Sequence, residues 1–105
     1  MGSLTLKFNR LYTKLEGRWF NTIQQGDQGL QVGDTVTIQT PRSSFQVCVR
    51  FVKETLLKDI PTSTLTYDTD TTTDEEALKH LQIFYPGLNW YSTVYLIGFE
   101  RVGVG

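Results

Sequence analysis

The sequence predicts a small α+β domain in which a strongly curved, mixed or antiparallel sheet or barrel packs against two helices. Apolar residues alternate with period two in several short segments, most clearly in residues 45–54. Two further segments, 9–17 and 74–85, have helical spacing and capping residues at their ends. Turns rich in Gly, Asp or Ser separate the strand-like segments 18–24, 30–40 and 45–54, and tight turns favour an antiparallel meander.

Length, composition and charge fit one ordinary domain. The chain has 105 residues, of which 39% are hydrophobic, and we expect a single domain over 1–105 with its core within about 4–102. Ten basic and eleven acidic residues give a net charge of −1. Tight, non-specific nucleic-acid binding normally needs a basic excess, so this class is excluded, whereas a local patch or single-nucleotide pocket is not. No apolar run approaches the roughly 20 residues of a membrane span, so we expect a cytoplasmic protein with no membrane partner.

The first half of the chain alternates between strand and helix signals. The segment LTLKF (4–8) alternates and predicts a short strand. The segment 9–17 predicts a helix that ends at Gly17. The segments RWFNTIQ (18–24) and TVTIQT (35–40) predict two strands, each bounded by turn residues.

Residues 45–54 predict the clearest strand. Phe45, Val47, Val49 and Phe51 share one face by strict alternation. Cys48 lies among apolar residues and is expected to be a buried core thiol. One cysteine and one histidine in the whole chain cannot form a zinc site. We therefore expect no metal and no cofactor.

The second half begins with a polar tract. Seven threonines and three aspartates lie between residues 62 and 74, which predicts a surface loop or lid. Asp68 and Asp70 resemble the start of a calcium loop, but the glycine and the closing glutamate that this loop needs are absent. A capping box from Thr73 to Glu76 then predicts a helix, and YSTVYLIGFERV (91–102) predicts the last strand.

These elements, together with the segments EGRWFNTIQ, LQVGDTVTI, FYPG and VYLIGFERV, resemble the ASCH superfamily over residues 4–102. The resemblance implies a PUA-like β-barrel with two packed helices and an association with RNA. Within this superfamily, the sequence resembles the short bacterial ASCH proteins that act as N4-acetylcytidine amidohydrolases. The superfamily signature is G-x-K-x-x-E-x-R, with threonine at the E position in the amidohydrolases.

This signature falls on residues 17–24 with two matches and two departures. Gly17 matches the glycine and Thr22 the threonine, whereas Trp19 falls on the lysine and Gln24 on the arginine. The family's acidic residue falls near Asp70, with Glu75 or Glu76 as alternatives. Because tryptophan cannot activate a hydroxyl, catalysis would require Arg18, Lys14 or Lys53 to replace the lysine, and the sequence favours binding over catalysis.

The leading hypothesis is therefore a module that binds RNA or a modified nucleoside between residues 17–24 and 62–74. From the resemblance and from the residue types, we expect two aromatic residues, two arginines and an amide to contact the ligand. These residues are Arg18, Trp19, Gln24, Arg50 and Trp90. The first alternative is hydrolysis of an N4-acetylcytidine-like nucleoside, with Thr22 as nucleophile and Asp70 as its acidic partner. The second is a protein-interaction adaptor.

Each proposed role has a structural alternative. Trp19 shares a strand face with Ile23, so it could be a core residue, and Trp90 could be one as well. Thr22 could be present for its β-propensity alone. His80 lies beside the apolar stripe of the second helix without an evident partner, which is typical of a solvated or half-buried helix residue.

Overall fold

The computed structural model describes residues 4–8, 12–26 and 29–102. Its elements in chain order are β1 (Leu4–Lys7), a 3₁₀-helix (Thr13–Glu16), β2 (Trp19–Gln24), β3 (Thr35–Gln39), β4 (Ser44–Leu56), a second 3₁₀-helix (Leu57–Asp59), α1 (Thr62–Thr69), α2 (Asp74–Phe84) and β5 (Thr93–Arg101).

The five strands form one mixed sheet in the order β1-β3-β4-β5-β2. β1 runs parallel to β3, and the other neighbours are antiparallel. In the described part of the chain β1 and β2 are the two edges, and no pairing joins them, so the sheet is open. The α+β class is confirmed, whereas the closure into a barrel that the sequence analysis expected is wrong. Lys14 donates to the backbone carbonyl of Asn21 in the edge strand β2, where a closing strand would otherwise bond.

The predicted meander holds for β3 and β4 but not for β2. β2 pairs with β5, the last strand, and Phe20 faces Phe99 in register. Both rings are buried with their centroids 5.3 Å apart, in the same core cluster as Val49. The two rings are 79 positions apart in the chain, so the short turn between β2 and β3 does not determine the strand with which β2 pairs.

A β-bulge in β4 changes the face on which its side chains lie. The register with β5 shifts between Val49 and Phe51. Val47 and Val49 are buried as predicted, but Phe51 is 43% exposed on the opposite face. Its ring lies against Gly98, where a Cβ would come within 2.1 Å of the ring. Cys48 also lies on that outer face and is only half-buried, so the prediction of a core thiol is wrong.

Most of the polar tract is a helix rather than a loop. The predicted surface loop over 62–74 is wrong for residues 62–69, which form α1, and the buried Leu65 packs this helix into a second core cluster. The hydroxyls of Thr66 and Thr69 donate to the carbonyls four residues earlier, which satisfies them within the helix. A threonine-rich helix is thus stabilised by tertiary packing and not by its intrinsic propensity.

The helix α2 begins where the sequence predicts, whereas the N-terminal helix is shorter than predicted and of a different type. α2 begins as predicted, with the Thr73 hydroxyl accepting from the Glu76 backbone N–H at 3.2 Å. The helix predicted over 9–17 is a 3₁₀-helix over Thr13–Glu16, and residues 9–11 lie outside the described part.

Two apolar clusters hold these elements together. The first lies on the inner face of the sheet, and the second joins both helices to the end of the sheet. A cleft with polar side chains in its lining lies where the two clusters meet.

Candidate functional site

A cleft of about 230 Å³ lies between β1, the first 3₁₀-helix, β2 and the two helices. It is bounded by residues 17–24 and 62–74, the two segments between which the sequence predicts a pocket. Its lining is apolar and aromatic with a few polar groups: Leu6, Lys7, Phe8, Tyr12, Lys14, Thr22, Ile23, Gln24, Asp68, Thr69, His80, Leu81, Phe84 and Tyr85. This mixture is typical of a small-molecule site.

A buried ion pair lies in the wall of the cleft. The ammonium of Lys14 is 2.7 Å from Oδ1 of Asp68, and the two side chains are only 2% and 4% exposed. Lys14 also donates to the carbonyl of Asn21 at 2.9 Å. Its Nζ is 5.3 Å from the centre of the Phe8 ring and 5.4 Å from that of Tyr12. The cation is therefore fixed by one carboxylate, one carbonyl and two aromatic rings.

Helix geometry explains why Asp68 faces inward. Leu65, Asp68 and Thr69 are the buried residues of α1, and their spacing of three and four places them on one face. Leu65 packs into the core, so Asp68 is drawn to the inner side with it. Burial raises the pKa of the Asp68 carboxyl above its usual value, although the nearby Lys14 ammonium opposes the shift.

Thr22 presents its hydroxyl to the same cleft. Its side chain is 3% exposed, on the face of β2 that also carries Gln24. The Gln24 amide nitrogen donates to Oγ1 of Thr22 at 3.0 Å. The Tyr85 hydroxyl in turn donates to Oε1 of Gln24 at 2.8 Å.

An aromatic wall completes the cleft. The hydroxyl of Tyr12 lies 2.7 Å from Nε2 of His80. The His80 ring makes edge contacts with Tyr12 and Phe84 at centroid distances of 5.5 and 5.6 Å. His80, which seemed from its sequence context to lack a partner, is thus a hydrogen-bonded cleft residue.

Three of the residues predicted to bind nucleic acid lie together, but outside the cleft. Arg18 and Arg50 both bind Glu100, with closest nitrogen–oxygen distances of 2.8 and 2.7 Å. These hydrogen bonds, first from Arg50 and then from Arg18, hold the pKa of Glu100 below its usual range. Trp19 faces Glu100 in register and is 58% exposed. It neither packs with Ile23 in the core nor lines the cleft.

The remaining predicted residues also lie away from the cleft lining. Asp70 caps the end of α1 in a left-handed conformation, with φ 60°, and is exposed. Trp90 is partly buried against the second core cluster. Of the seven residues predicted for the site, the cleft therefore contains two, Thr22 and Gln24.

Several cleft residues are not among those predicted from the sequence. Asp68 lies two positions before the predicted Asp70, and the helical spacing from Leu65 to Asp68 could have identified it if α1 had been recognised. Lys14 appears in the sequence analysis only as one of three substitutes for the family lysine. No local signal distinguishes Tyr85 from other residues at the end of a helix.

The described residues contain neither a metal-binding cluster nor a membrane-spanning helix. Within 4–8, 12–26 and 29–102, no group of three or more His, Cys, Asp or Glu side chains could hold a metal ion. None of the helices in this part of the chain is long and apolar enough to cross a membrane.

Comparison with known structures confirms the ASCH fold. The crystal structure of an ASCH domain from Lactobacillus crispatus JV V101 matches with a TM-score of 0.66, covering 94% of this chain and 79% of that chain at 10% sequence identity. At this identity the likeness establishes the fold alone. No family model matches the sequence, and a comparison with curated proteins likewise gives no match.

Proposed function

We propose that this chain is a threonine-dependent hydrolase that cleaves the amide of an N-acylated pyrimidine nucleoside, such as N4-acetylcytidine. The observation that supports it is the presence of Thr22 and the buried Lys14–Asp68 pair in one cleft. A hydroxyl becomes a useful nucleophile only beside a base or cation. These three residues supply a hydroxyl, a carboxylate and an ammonium.

The residues of the cleft favour the hydrolysis hypothesis over the binding hypothesis. The sequence favoured binding because Trp19 occupies the lysine position of the signature. Lys14 removes that objection, since it places an ammonium in the cleft from the first 3₁₀-helix rather than from β2.

The proposed reaction has two steps. Oγ1 of Thr22 forms a bond to the amide carbonyl carbon, and its proton passes to the Lys14–Asp68 pair, where the raised pKa of Asp68 makes the carboxylate a stronger base than usual. The Lys14 ammonium stabilises the oxyanion that develops. The carbon–nitrogen bond breaks, the amine leaves with the proton, and water then hydrolyses the Thr22 ester to release the free acid.

The size and lining of the cleft favour a nucleoside over a longer ligand. Its volume of about 230 Å³ lies below the roughly 300–1,000 Å³ of sites for drug-sized ligands. Phe8, Tyr12 and Phe84 line it and offer aromatic surfaces on which a pyrimidine can stack. An acylated base fits such a site better than a folded RNA element does.

The test is acetate release from N4-acetylcytidine, followed by proton NMR. We expect turnover by the wild-type protein and a loss of at least about 10³-fold in Thr22→Ala. Thr35→Ala, an exposed threonine of β3, is the matched control and keeps full activity. Unchanged activity in Thr22→Ala, or no acetate from the wild-type protein, would refute the proposal.

A second pair of variants tests the acidic residue. Asp68→Asn is expected to lower kcat by about 10²- to 10⁴-fold. Asp70→Asn is its control, because Asp70 is exposed and asparagine also tolerates the left-handed conformation. The reverse result would restore Asp70 as the acidic partner and remove Asp68 from the mechanism.

A second candidate function is RNA binding on the outer face of the sheet. This surface contains the exposed ring of Trp19 and the guanidinium groups of Arg18 and Arg50, which both bind Glu100. An aromatic face beside cationic groups is typical of surfaces that bind single-stranded RNA. We expect a short single-stranded RNA to shift the Trp19 indole signal in NMR and Trp19→Ala to weaken binding, while Tyr91→Ala, another exposed aromatic substitution, leaves it unchanged. No shift at millimolar RNA would exclude this candidate.

A further inference from the structure

A chain of two hydrogen bonds connects the end of α2 to the Thr22 hydroxyl. The Tyr85 hydroxyl donates to Oε1 of Gln24 at 2.8 Å, and Nε2 of Gln24 donates to Oγ1 of Thr22 at 3.0 Å. All three residues line the cleft. Thr22 is the only one of the three that takes part directly in the proposed reaction.

Tyr85 is well placed to act as a fixed anchor. It is the C-cap residue of α2, where its backbone N–H donates to the carbonyl of Leu81 at 2.9 Å. Its own carbonyl accepts from the N–H of Leu88, also at 2.9 Å. Both backbone groups are thus held by residues of the second core cluster, and the phenol ring extends from this anchor towards β2.

The phenol determines which way the Gln24 amide points. The hydroxyl of Tyr85 donates its proton to Oε1 of Gln24 at 2.8 Å. The carbonyl end of the amide therefore faces Tyr85 and its NH₂ end faces Thr22. Without the phenol, the amide could turn over and present its oxygen to the threonine.

The orientation of the amide has a consequence for Thr22. Because Oγ1 accepts a hydrogen bond from Gln24, the threonine proton must point elsewhere, and Gln24 cannot receive it. A donor beside Oγ1 also stabilises the negative charge that develops on this oxygen as its proton leaves. An amide turned the other way would accept the threonine proton and direct it away from any base.

We propose that Tyr85 is a positioning residue which acts through Gln24 to hold the Thr22 hydroxyl in the orientation required for attack. This inference rests on the proposed hydrolase function. It also accounts for the departure at Gln24 from the arginine of the signature, since a neutral amide that both accepts and donates is what the chain of hydrogen bonds requires.

The test compares Tyr85→Phe, which removes only the hydroxyl, with Tyr91→Phe, a matched change on a tyrosine that is 76% exposed. For Tyr85→Phe we expect kcat on N4-acetylcytidine to fall roughly 10- to 100-fold, the size of a misplaced reacting group, with KM changed less than about twofold. Tyr91→Phe should leave both parameters unchanged. A merely structural role for Tyr85 would lower Vmax only in proportion to the loss of folded protein, so kcat is calculated per folded protein from the circular dichroism signal. A kcat that is then unchanged would refute the inference.

Variants at Gln24 test the direction of the hydrogen bond between Gln24 and Thr22. Gln24→Glu keeps an acceptor for Tyr85 but removes the donor to Thr22, so we expect it to lose as much kcat as Gln24→Met. If Gln24→Glu retained wild-type kcat, the donor role would be refuted.

A readout independent of turnover separates failure of this inference from failure of the proposed function. The side-chain NH₂ signals of Gln24 in a ¹⁵N-labelled sample should be shifted from those of the exposed Gln31 and Gln39, and should move towards them in Tyr85→Phe. If the wild-type protein turns over but Tyr85→Phe changes neither kcat nor these signals, the inference is wrong and the hydrolase stands. If the wild-type protein releases no acetate, the hydrolase proposal fails and the catalytic role of the two hydrogen bonds fails with it.

Discussion

The buried pair of Lys14 and Asp68 should make single substitutions costly and a double substitution harmless to stability. Asp68→Leu leaves the Lys14 ammonium, only 2% exposed, with the carbonyl of Asn21 as its one hydrogen-bond acceptor among the described residues. Breaking a buried pair in this way costs about 3–5 kcal/mol. Such a loss is a large part of the roughly 5–15 kcal/mol that stabilises a domain.

The magnitude follows from two opposed effects. At the observed separation of 2.7 Å, the attraction between the charges is about 6 kcal/mol with an effective dielectric constant of about 20. Transfer of each ion from water into the protein costs several kcal/mol. The attraction and the desolvation therefore nearly cancel, and replacing both residues in Lys14→Met/Asp68→Leu should be neutral or stabilising by up to about 4 kcal/mol.

The assay is urea unfolding of the wild-type protein, the two single variants and the double variant, which gives the coupling free energy directly. Lys14→Met should recover part of its deficit as the pH falls, because the Asp68 carboxyl left behind can become neutral. Lys53→Met, on an exposed lysine of β4, is the control for loss of a charge. Single variants that lose less than about 1 kcal/mol, as surface pairs do, would refute the reasoning.

Three further predictions concern the frame around the site. Gly98→Ala would place a Cβ 2.1 Å from the Phe51 ring. Because this exposed ring can move outwards, we expect the free energy of unfolding to fall by an amount at the low end of about 1–3 kcal/mol. Urea unfolding measures this change, and an unchanged free energy of unfolding would contradict the contact. Thr73→Ala removes the cap of α2 and should cost about 1 kcal/mol, with Thr64→Ala as the control. Glu100 has a lowered pKa, so its stabilising contribution is present above about pH 4.5 and is lost as the pH falls through its lower folded-state value. The stability difference between the wild-type protein and Glu100→Gln, measured at pH 7 and pH 3, should therefore shrink at the lower pH, and an unchanged difference would show that the arginines do not act on this carboxyl.

The parts of the fold that the sequence predicts are those fixed by local patterns. Alternation identified β2 and the start of β4, and the Thr73 hydroxyl caps α2 as its spacing to Glu76 predicts. These signals involve neighbouring residues and need no knowledge of the rest of the chain.

The features that the sequence did not predict depend on contacts between distant residues. The pairing of β2 with β5 brings Phe20 into contact with Phe99, a contact that no local pattern contains. The bulge at Arg50 moves Phe51 to the outer face, although the letters alternate without interruption. The polar residues of α1 give little helical signal, and only the burial of Leu65 shows why the segment is ordered.

The cleft residues are harder still to predict from the sequence, because they come from distant segments of the chain. Thr22 and Gln24 were found because they lie in the signature segment, whereas Lys14 and Asp68 are 54 positions apart and meet only in the folded protein. The alignment assigned the lysine position to Trp19, and an alignment cannot show that another element supplies the same charge. Under the proposed function, Lys14 would supply from the first 3₁₀-helix the charge that Trp19 lacks.

The buried pair of Lys14 and Asp68 is expected to contribute little to stability but to be required for the proposed reaction. One double variant tests both expectations. A buried ion pair that could be replaced by apolar side chains without loss contributes little to folding, so its presence beside Thr22 needs another reason. If the double variant of Lys14 and Asp68 is as stable as the wild-type protein but releases no acetate, folding cannot explain the loss. The pair would then be needed for the reaction and not for the fold, as the proposed role in activating Thr22 requires.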